Sequence, residues 1–162
     1  MSLKNKNYLI IRQAFATELM DFCNVAFKIK RNAMHVLKNR NNFFGPLSKD
    51  IENWFGCWND PQAPGHFSAY GDNVMESLLL MAHPLMEERT KMKLHPCYAY
   101  ARIYEKGAEL KKHTDRPSCE ISCTVNMGGD MWPIYLKDKK KKIKVELKCG
   151  DMLIYKGTKL QH

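Results

Sequence analysis

Apolar residues in the first ninety positions recur mostly at helical spacing. The run 8–11 is short and apolar, and it predicts an edge strand. From Thr17 to Lys38 apolar residues return every three or four positions, which predicts a helix. A second helix is predicted from Asp72 or Asn73 onward, and Pro84 should kink it or split it in two. The residues that define the first apolar stripe are Leu19, Phe22, Cys23 and Ala26.

Residues 39–72, between these helices, are rich in Asn, Gly and Pro and predict loops. Their many aromatic side chains argue against a plain linker. They either plug the open end of a barrel or form a lid that faces a substrate, because long loops over a barrel mouth commonly bind ligands. The aromatic residues are Phe43, Phe44, Trp54, Phe55, Trp58, Phe67 and Tyr70.

The second half of the chain changes to the two-residue period of strands. Ile143, Val145 and Leu147 alternate with charged residues, as in a half-buried strand. Helices followed by short strands predict an α+β fold: a barrel or jelly roll with N-terminal helices on one outer face. We expect one domain over 1–162, with a helical and loop-rich part at 1–94 and a strand core at 95–162. The predicted strands are 97–104, 119–126, 132–137, 142–148 and 151–156.

The triplet His113-Thr114-Asp115 lies between two of these strands and is the main chemical signal. Side chains two apart on an extended backbone point the same way, so this His and Asp can bind one ion. His162, after the apolar run 152–155, can supply a third ligand. Two His and one carboxylate form the facial set that leaves Fe(II) with open positions. On the triplet alone, a polar turn is the competing interpretation.

Composition bounds the other possibilities. The chain has 162 residues, 44% of them hydrophobic, and a formal net charge of +9. Seven lysines crowd residues 137–148. We favour a solvated hairpin with charged edges over a nucleic-acid patch. The lysines are Lys137, Lys139, Lys140, Lys141, Lys142, Lys144 and Lys148.

Six cysteines form no CxxC pair, and the polar start shows no signal peptide. We interpret the cysteines as free thiols in a reducing compartment, rather than as a disulfide or zinc site, and expect a cytoplasmic protein. No apolar run approaches the roughly 20 residues of a membrane span, so we expect no membrane association.

From residue 96 onward the chain resembles the Fe(II)/2-oxoglutarate-dependent dioxygenases, in their prolyl-hydroxylase-like branch. The spacing is specific: Tyr104 lies nine residues before His113, and His162 lies 47 residues after Asp115. The other matching positions are Gly107, Trp132-Pro133-Ile134-Tyr135 and Gly150-Asp151.

The resemblance implies a double-stranded β-helix, a cupin-like jelly roll, with His113, Asp115 and His162 as iron ligands. It also implies that 2-oxoglutarate and O2 are consumed, that succinate and CO2 are released, and that a C–H bond of a protein side chain or small molecule is hydroxylated. By the same resemblance Tyr104 would hydrogen-bond the cosubstrate.

Further residues can shape the pocket. A barrel-lining Arg102 needs a carboxylate partner, which can be the cosubstrate, the substrate or a protein acid. Thr124 can reach the far carboxylate of the cosubstrate, and Arg116 can meet substrate at the rim. Tyr98 and Tyr100 either line the pocket or pack in the core.

One departure from the family pattern concerns the end of the sequence. The family places an Arg or Lys beyond the distal His to pair with 2-oxoglutarate, and here the sequence stops at His162. We therefore expect the core to lack its last strand. Three explanations stay open: the sequence is incomplete, Arg102 binds the cosubstrate from another strand, or the protein is not a competent dioxygenase. A non-catalytic binding module on the same fold and a nucleic-acid-directed oxidative demethylase are the alternatives. The residues leave substrate and oligomeric state open.

Overall fold

The computed structural model describes residues 3, 6–39 and 55–162. The predicted aromatic positions Phe43, Phe44 and Trp54 lie outside these residues. Contacts group the chain into two compact units. The first comprises 1–24, 82–97 and 112–162, and the second comprises 25–81 and 98–111. The expectation of a single domain over the whole chain stays a prediction.

Two helices form where the helical spacing predicted them. The first, α1, spans Thr17–Asn39, and the second, α2, spans Asn73–Thr90. Of the two effects predicted for Pro84, the split is wrong because α2 runs through it, and the kink stays a prediction. Asp72 caps α2, and its Oδ1 accepts hydrogen bonds from the backbone N–H groups of Val74 and Met75 at 3.0 and 3.3 Å. Neither helix is long and apolar enough to cross a membrane, among the residues described.

The predicted face of α1 is correct only in part: Cys23 is buried and Leu19 and Ala26 are half-buried, but the stripe as a whole is shifted. Phe22, which we expected in the core, is 62% exposed. The helix carries two apolar stripes, and spacing alone does not say which one is covered. The buried stripe is Met20, Cys23, Phe27 and Met34, and the exposed one is Phe22, Val25, Ile29 and Val36.

Within the residues that the structure describes, seven short strands form three antiparallel sheets. In the first unit, β1 (Tyr8–Ile11), β7 (Met152–Lys156) and β4 (Ile121–Val125) lie in the order β1-β7-β4, so β1 is an edge strand as predicted. The same unit contains the hairpin of β5 (Ile134–Asp138) and β6 (Lys141–Val145).

The second unit contains one two-stranded sheet, in which β2 (Ser68–Tyr70) pairs with β3 (Tyr100–Arg102). The sequence analysis missed β2, which lies within the stretch predicted as loops. Two helices with antiparallel sheets agree with a mixed α and β fold. Closure into a double-stranded β-helix stays a prediction.

The central strand β7 is covered on both faces. Met152 and Ile154 pack with Ala82 and Met86 of α2. Leu153 and Tyr155, which point the other way, pack with residues of the β5–β6 hairpin. Burial on both faces explains why this strand is a continuous apolar run rather than an alternating one. On the hairpin side the partners are Leu136, Val145, Leu147 and Leu160.

A buried carboxylate anchors the turn before β7. Asp151 accepts hydrogen bonds from the backbone N–H groups of Gln13 and Lys148, both at 2.9 Å, and from Arg12 Nη1 at 2.6 Å. Burial acts to raise the pKa of Asp151, but these N–H groups and the charge of Arg12 outweigh it and hold the pKa below its usual value. The side chain is therefore a carboxylate at neutral pH.

We expect Asp151→Asn to lower the free energy of unfolding by about 2 kcal/mol at pH 7, because hydrogen bonds to a charged group are lost. A folded-state pKa below the unfolded one stabilises the fold at neutral pH, and this stabilisation is lost as pH falls through the folded value. Urea unfolding from pH 7 to pH 3 should therefore show the two proteins converging in acid. Asp130→Asn, at an exposed position, is the control. A difference that persists unchanged in acid would contradict this role.

Candidate metal centre

The structure brings His113, Asp115 and His162 together within the first unit. One potential ligand atom from each lies within 4.8 Å of the others. Asp115 Oδ1 is 4.0 Å from His113 Nε2 and 3.6 Å from His162 Nε2. The centroids of the two imidazole rings are 4.4 Å apart. Two imidazole nitrogens and one carboxylate oxygen this close together form a donor set suited to a divalent transition metal.

The backbone holds these three residues in place. His113 N–H donates to the carbonyl of His162, and His162 N–H donates to the carbonyl of His113, both at 2.9 Å. The N–H of Asp115 donates to the carbonyl of Gly157, also at 2.9 Å. Gly157 directly follows β7. Three backbone hydrogen bonds therefore join residues 113–115 to the chain that runs from β7 to His162.

Asp115 is oriented by a serine that the sequence analysis did not single out. Ser122 Oγ, on β4, donates to Asp115 Oδ2 at 2.6 Å. Oδ1 is the carboxylate oxygen nearer to the two imidazoles. Burial acts to raise the pKa of Asp115, but hydrogen bonds from His162 and Ser122 and the charges of the two histidines lower it below its usual value. The group is therefore ready as an anionic ligand.

Gly157 lies against the same carboxylate. A Cβ built there would come within 2.5 Å of the carbonyl oxygen of Cys119 and 2.7 Å of Ser122 Oγ, and closer still to Asp115 Oδ2. Its φ angle is not in the left-handed region, so close packing rather than backbone conformation requires glycine here. The sequence offered no signal for this requirement, because it arises from a contact between distant segments.

His162 has a defined tautomer. Its side chain is 7% exposed, and Nδ1 lies 3.0 Å from the carbonyl oxygen of Leu160. Because a carbonyl oxygen only accepts, Nδ1 carries a hydrogen. In the neutral imidazole Nε2 then has its lone pair free for a metal, whereas in the imidazolium the Nε2–H group faces Asp115. The hydroxyl of Tyr155 lies 3.3 Å from Nε2 and can donate to it. A metal ion on Nε2 would replace this hydrogen bond.

Three hydroxyl groups, of Ser122, Thr124 and Tyr155, lie on this side of β4 and β7 beside the metal ligands. Register places Ser122 opposite Tyr155 and Thr124 opposite Leu153, so all four side chains share one face. Burial and the nearby Asp115 raise the pKa of Tyr155, which keeps its hydroxyl neutral. The side chains of Thr124 and Ser122 act in the opposite direction and lower the pKa of Tyr155, but burial outweighs them. Thr124, predicted to bind the cosubstrate, is therefore in the same unit as the metal ligands.

Arg102 and Tyr104, the other predicted cosubstrate residues, belong to the second unit. The guanidinium of Arg102 is 5% exposed and forms an ion pair with Asp60. It also donates to the hydroxyls of Tyr100 at 2.9 Å and Tyr104 at 3.0 Å. The sequence left three possible carboxylate partners for Arg102: the cosubstrate, the substrate or a protein acid. In the structure the partner is a protein acid, Asp60. Its Nε has no hydrogen-bond partner within the described residues.

The remaining predicted residues occupy varied positions. Tyr100 donates to Asp60 and stacks on Tyr70, with ring centroids 4.4 Å apart. Tyr98 also contacts Tyr70, at 5.4 Å between centroids. Arg116 is exposed and directly follows Asp115 in the chain. The roles in binding substrate or cosubstrate assigned to these residues, to Arg102 and to Tyr104 stay predictions.

Comparison with known proteins gives information on the fold. No family model matches the chain, and no curated protein matches it significantly in sequence. Among solved structures, a prolyl-4-hydroxylase from Pseudomonas putida matches with a TM-score of 0.68. The match covers 99% of this chain and 85% of that one, with 11% sequence identity. At this identity the likeness concerns the fold alone.

Proposed function

We propose that this protein is an Fe(II)-dependent dioxygenase that uses 2-oxoglutarate to hydroxylate a C–H bond in a peptide or small molecule. The observation that carries the proposal is the joining of His113, Asp115 and His162 into one donor set. The fold likeness to a prolyl-4-hydroxylase supports it, because that enzyme's fold accommodates the whole of this chain. The identity of the cosubstrate rests on the family resemblance of the HxD segment.

The donor set fits Fe(II) in charge and in chemistry. Two neutral imidazoles and one carboxylate leave a divalent ion with a net positive charge and open positions. When bound, the iron would supply the activation of O2. Ser122 would keep Asp115 oriented by holding Oδ2, and the carbonyl of Leu160 would keep His162 in the tautomer that exposes Nε2. Such outer partners typically affect metal affinity by about 10- to 100-fold.

The hydroxyl-lined face beside the ligands suits a polar ligand. Thr124 and Tyr155 present neutral hydroxyls there, and these groups can donate to a carboxylate or keto oxygen. Arg102 would serve a cosubstrate carboxylate only by exchanging Asp60 for it, since the two already form an ion pair. We therefore propose Thr124 as the cosubstrate residue of the first unit and keep Arg102 and Tyr104 as predicted contributors.

Two measurements test the proposal: metal binding, and conversion of 2-oxoglutarate to succinate without added substrate. Mn(II) affinity by calorimetry, and succinate release with Fe(II), 2-oxoglutarate and ascorbate, are measured for the wild type and His113→Ala. We expect the variant to lose Mn(II) affinity by more than about 100-fold, since loss of an outer partner alone costs up to about that much. Succinate release should fall to background. His95→Ala, which alters an exposed histidine outside the donor set, should leave both unchanged.

The outcomes separate the parts of the proposal. Metal binding without succinate release would retain the metal centre and overturn the role of 2-oxoglutarate. No metal binding by the wild type would overturn the catalytic proposal and favour a binding module on this fold.

A further inference from the structure

The outer face of the β5–β6 hairpin is a basic surface that the proposed chemistry does not use. Register pairs Tyr135 with Lys144 and Lys137 with Lys142. Alternate residues of a strand point to opposite sides, and Leu136 and its neighbours face the core. The other four side chains therefore point outward, and all are exposed. We call Tyr135, Lys137, Lys142 and Lys144 the hairpin face.

The hairpin holds much of the chain's positive charge. Residues 131–149 contain seven lysines and two acids, in a protein with a formal net charge of +9. Glu146 pairs with Lys144 at 2.6 Å, and Asp138 accepts a hydrogen bond from Asn7. Exposed ion pairs of this kind are weak, so they are readily exchanged for a polyanion. Lys140 in the turn extends the charge beyond the hairpin face.

An exposed aromatic ring lies among these cations. Tyr135 is 44% exposed, and Lys142 Nζ lies 4.1 Å from the centroid of its ring. Trp132, just before β5, is 43% exposed. Sheet surfaces that bind single strands combine cations for the phosphates with aromatic rings on which bases stack. The sequence alone favoured a solvated hairpin, and the outward Tyr135 between lysines is the observation that changes this interpretation.

We propose that the hairpin face and the adjoining Lys140 bind single-stranded nucleic acid, with Lys137, Lys140 and Lys142 on phosphates and a base stacked on Tyr135. A duplex would keep its bases stacked and offer no free ring to Tyr135. An anionic membrane fits less well, because the turn is occupied by lysines and the aromatic ring lies behind them rather than at the tip. Lys137 and Lys142 face each other across the two strands, with Cα atoms about 5 Å apart, so both side chains can reach neighbouring phosphates of one extended strand.

Fluorescence anisotropy of a labelled 20-mer of deoxythymidine, measured with the full chain from 50 to 200 mM NaCl, tests the proposal. Replacement of Lys137, Lys140 and Lys142 by Gln should weaken binding at least tenfold at low salt. It should also reduce the slope of log affinity against log salt by about 2, since each phosphate contact contributes about 0.7 for single strands. Tyr135→Ala should weaken binding by about tenfold, since a stacked base contributes measurably to affinity.

Matched controls make the result decisive. Replacement of the exposed Lys28, Lys93 and Lys106 by Gln removes the same charge elsewhere and should change the affinity less than threefold. His113→Ala should bind like the wild type, so failure of the metal centre would not be mistaken for failure of this proposal. Thermal unfolding of each variant checks the fold. Equal losses in both lysine triples, unaltered binding by Tyr135→Ala, or preferential binding to vesicles of phosphatidylcholine and phosphatidylserine would overturn the proposal.

Discussion

Gly157→Ala should abolish high-affinity metal binding although it alters none of the three ligands. The new methyl group would overlap the carboxylate of Asp115, the hydroxyl of Ser122 and the carbonyl of Cys119, and two of these belong to backbone or to the donor set itself. Asp115 would have to move away from the two histidines. We expect Mn(II) affinity to fall by about 100-fold, at the upper end for an outer partner. Overpacking should also cost about 1–3 kcal/mol of stability.

Calorimetric titration with Mn(II), paired with thermal unfolding, measures both effects. Gly129→Ala is the matched control, because a Cβ there meets nothing within 4 Å. Its positive φ of 95° strains an alanine, so this variant also loses stability while its Asp115 stays in place. Similar metal affinities in the two variants would contradict the role of Gly157 as the residue that leaves room for Asp115.

Leu153→Ala should be the most destabilising single change in the first unit. Leu153 is fully buried in β7, where it packs with the β5–β6 hairpin. Large-to-small substitutions at such sites cost about 2–5 kcal/mol. Native proteins are stable by only about 5–15 kcal/mol, so the loss is a large share of the total. We expect the urea midpoint to fall by about 1–2 M, given typical denaturant slopes.

The residue opposite Leu153 supplies the control. Ile10 on β1 pairs directly with Leu153 in the sheet, but its side chain is 36% exposed. Ile10→Ala removes a comparable side chain from the same sheet and should cost about 1 kcal/mol, because less area is removed from contact with the core. Equal urea midpoints for the two variants would contradict the prediction that packing of β7 dominates the stability of the first unit.

The sequence predicts an element correctly where its hydrophobic pattern is compatible with only one structure. The run before His162 is apolar at every position, and β7 forms there. The helix beginning at Thr17 also forms as predicted, but its buried face was predicted only in part, because α1 carries two apolar stripes. Which stripe is covered depends on segments distant in sequence. Strand β2 was missed for a different reason: it has three residues, which are too few to show the two-residue period of a strand.

The candidate site divides in a similar way. His113, Asp115 and His162 could be predicted because residue type and spacing identify a donor set. Ser122 and Gly157 could not, since a serine and a glycine are common and acquire their roles only through contact with Asp115. Asp60 was missed as the partner of Arg102 because it lies in a loop 42 residues earlier. The need of a buried arginine for an acid was predictable, but the identity of that acid was not.

The reciprocal hydrogen bonds between His113 and His162 have a consequence for how a ligand would be received. Two residues 49 positions apart are already fixed against each other by a donor and an acceptor each. The loss of chain entropy needed to bring these imidazoles together therefore occurs on folding and not when an ion arrives. An incoming cation would meet a preorganised set of ligands, and its binding energy would add to the stability of the folded chain rather than being consumed in ordering it.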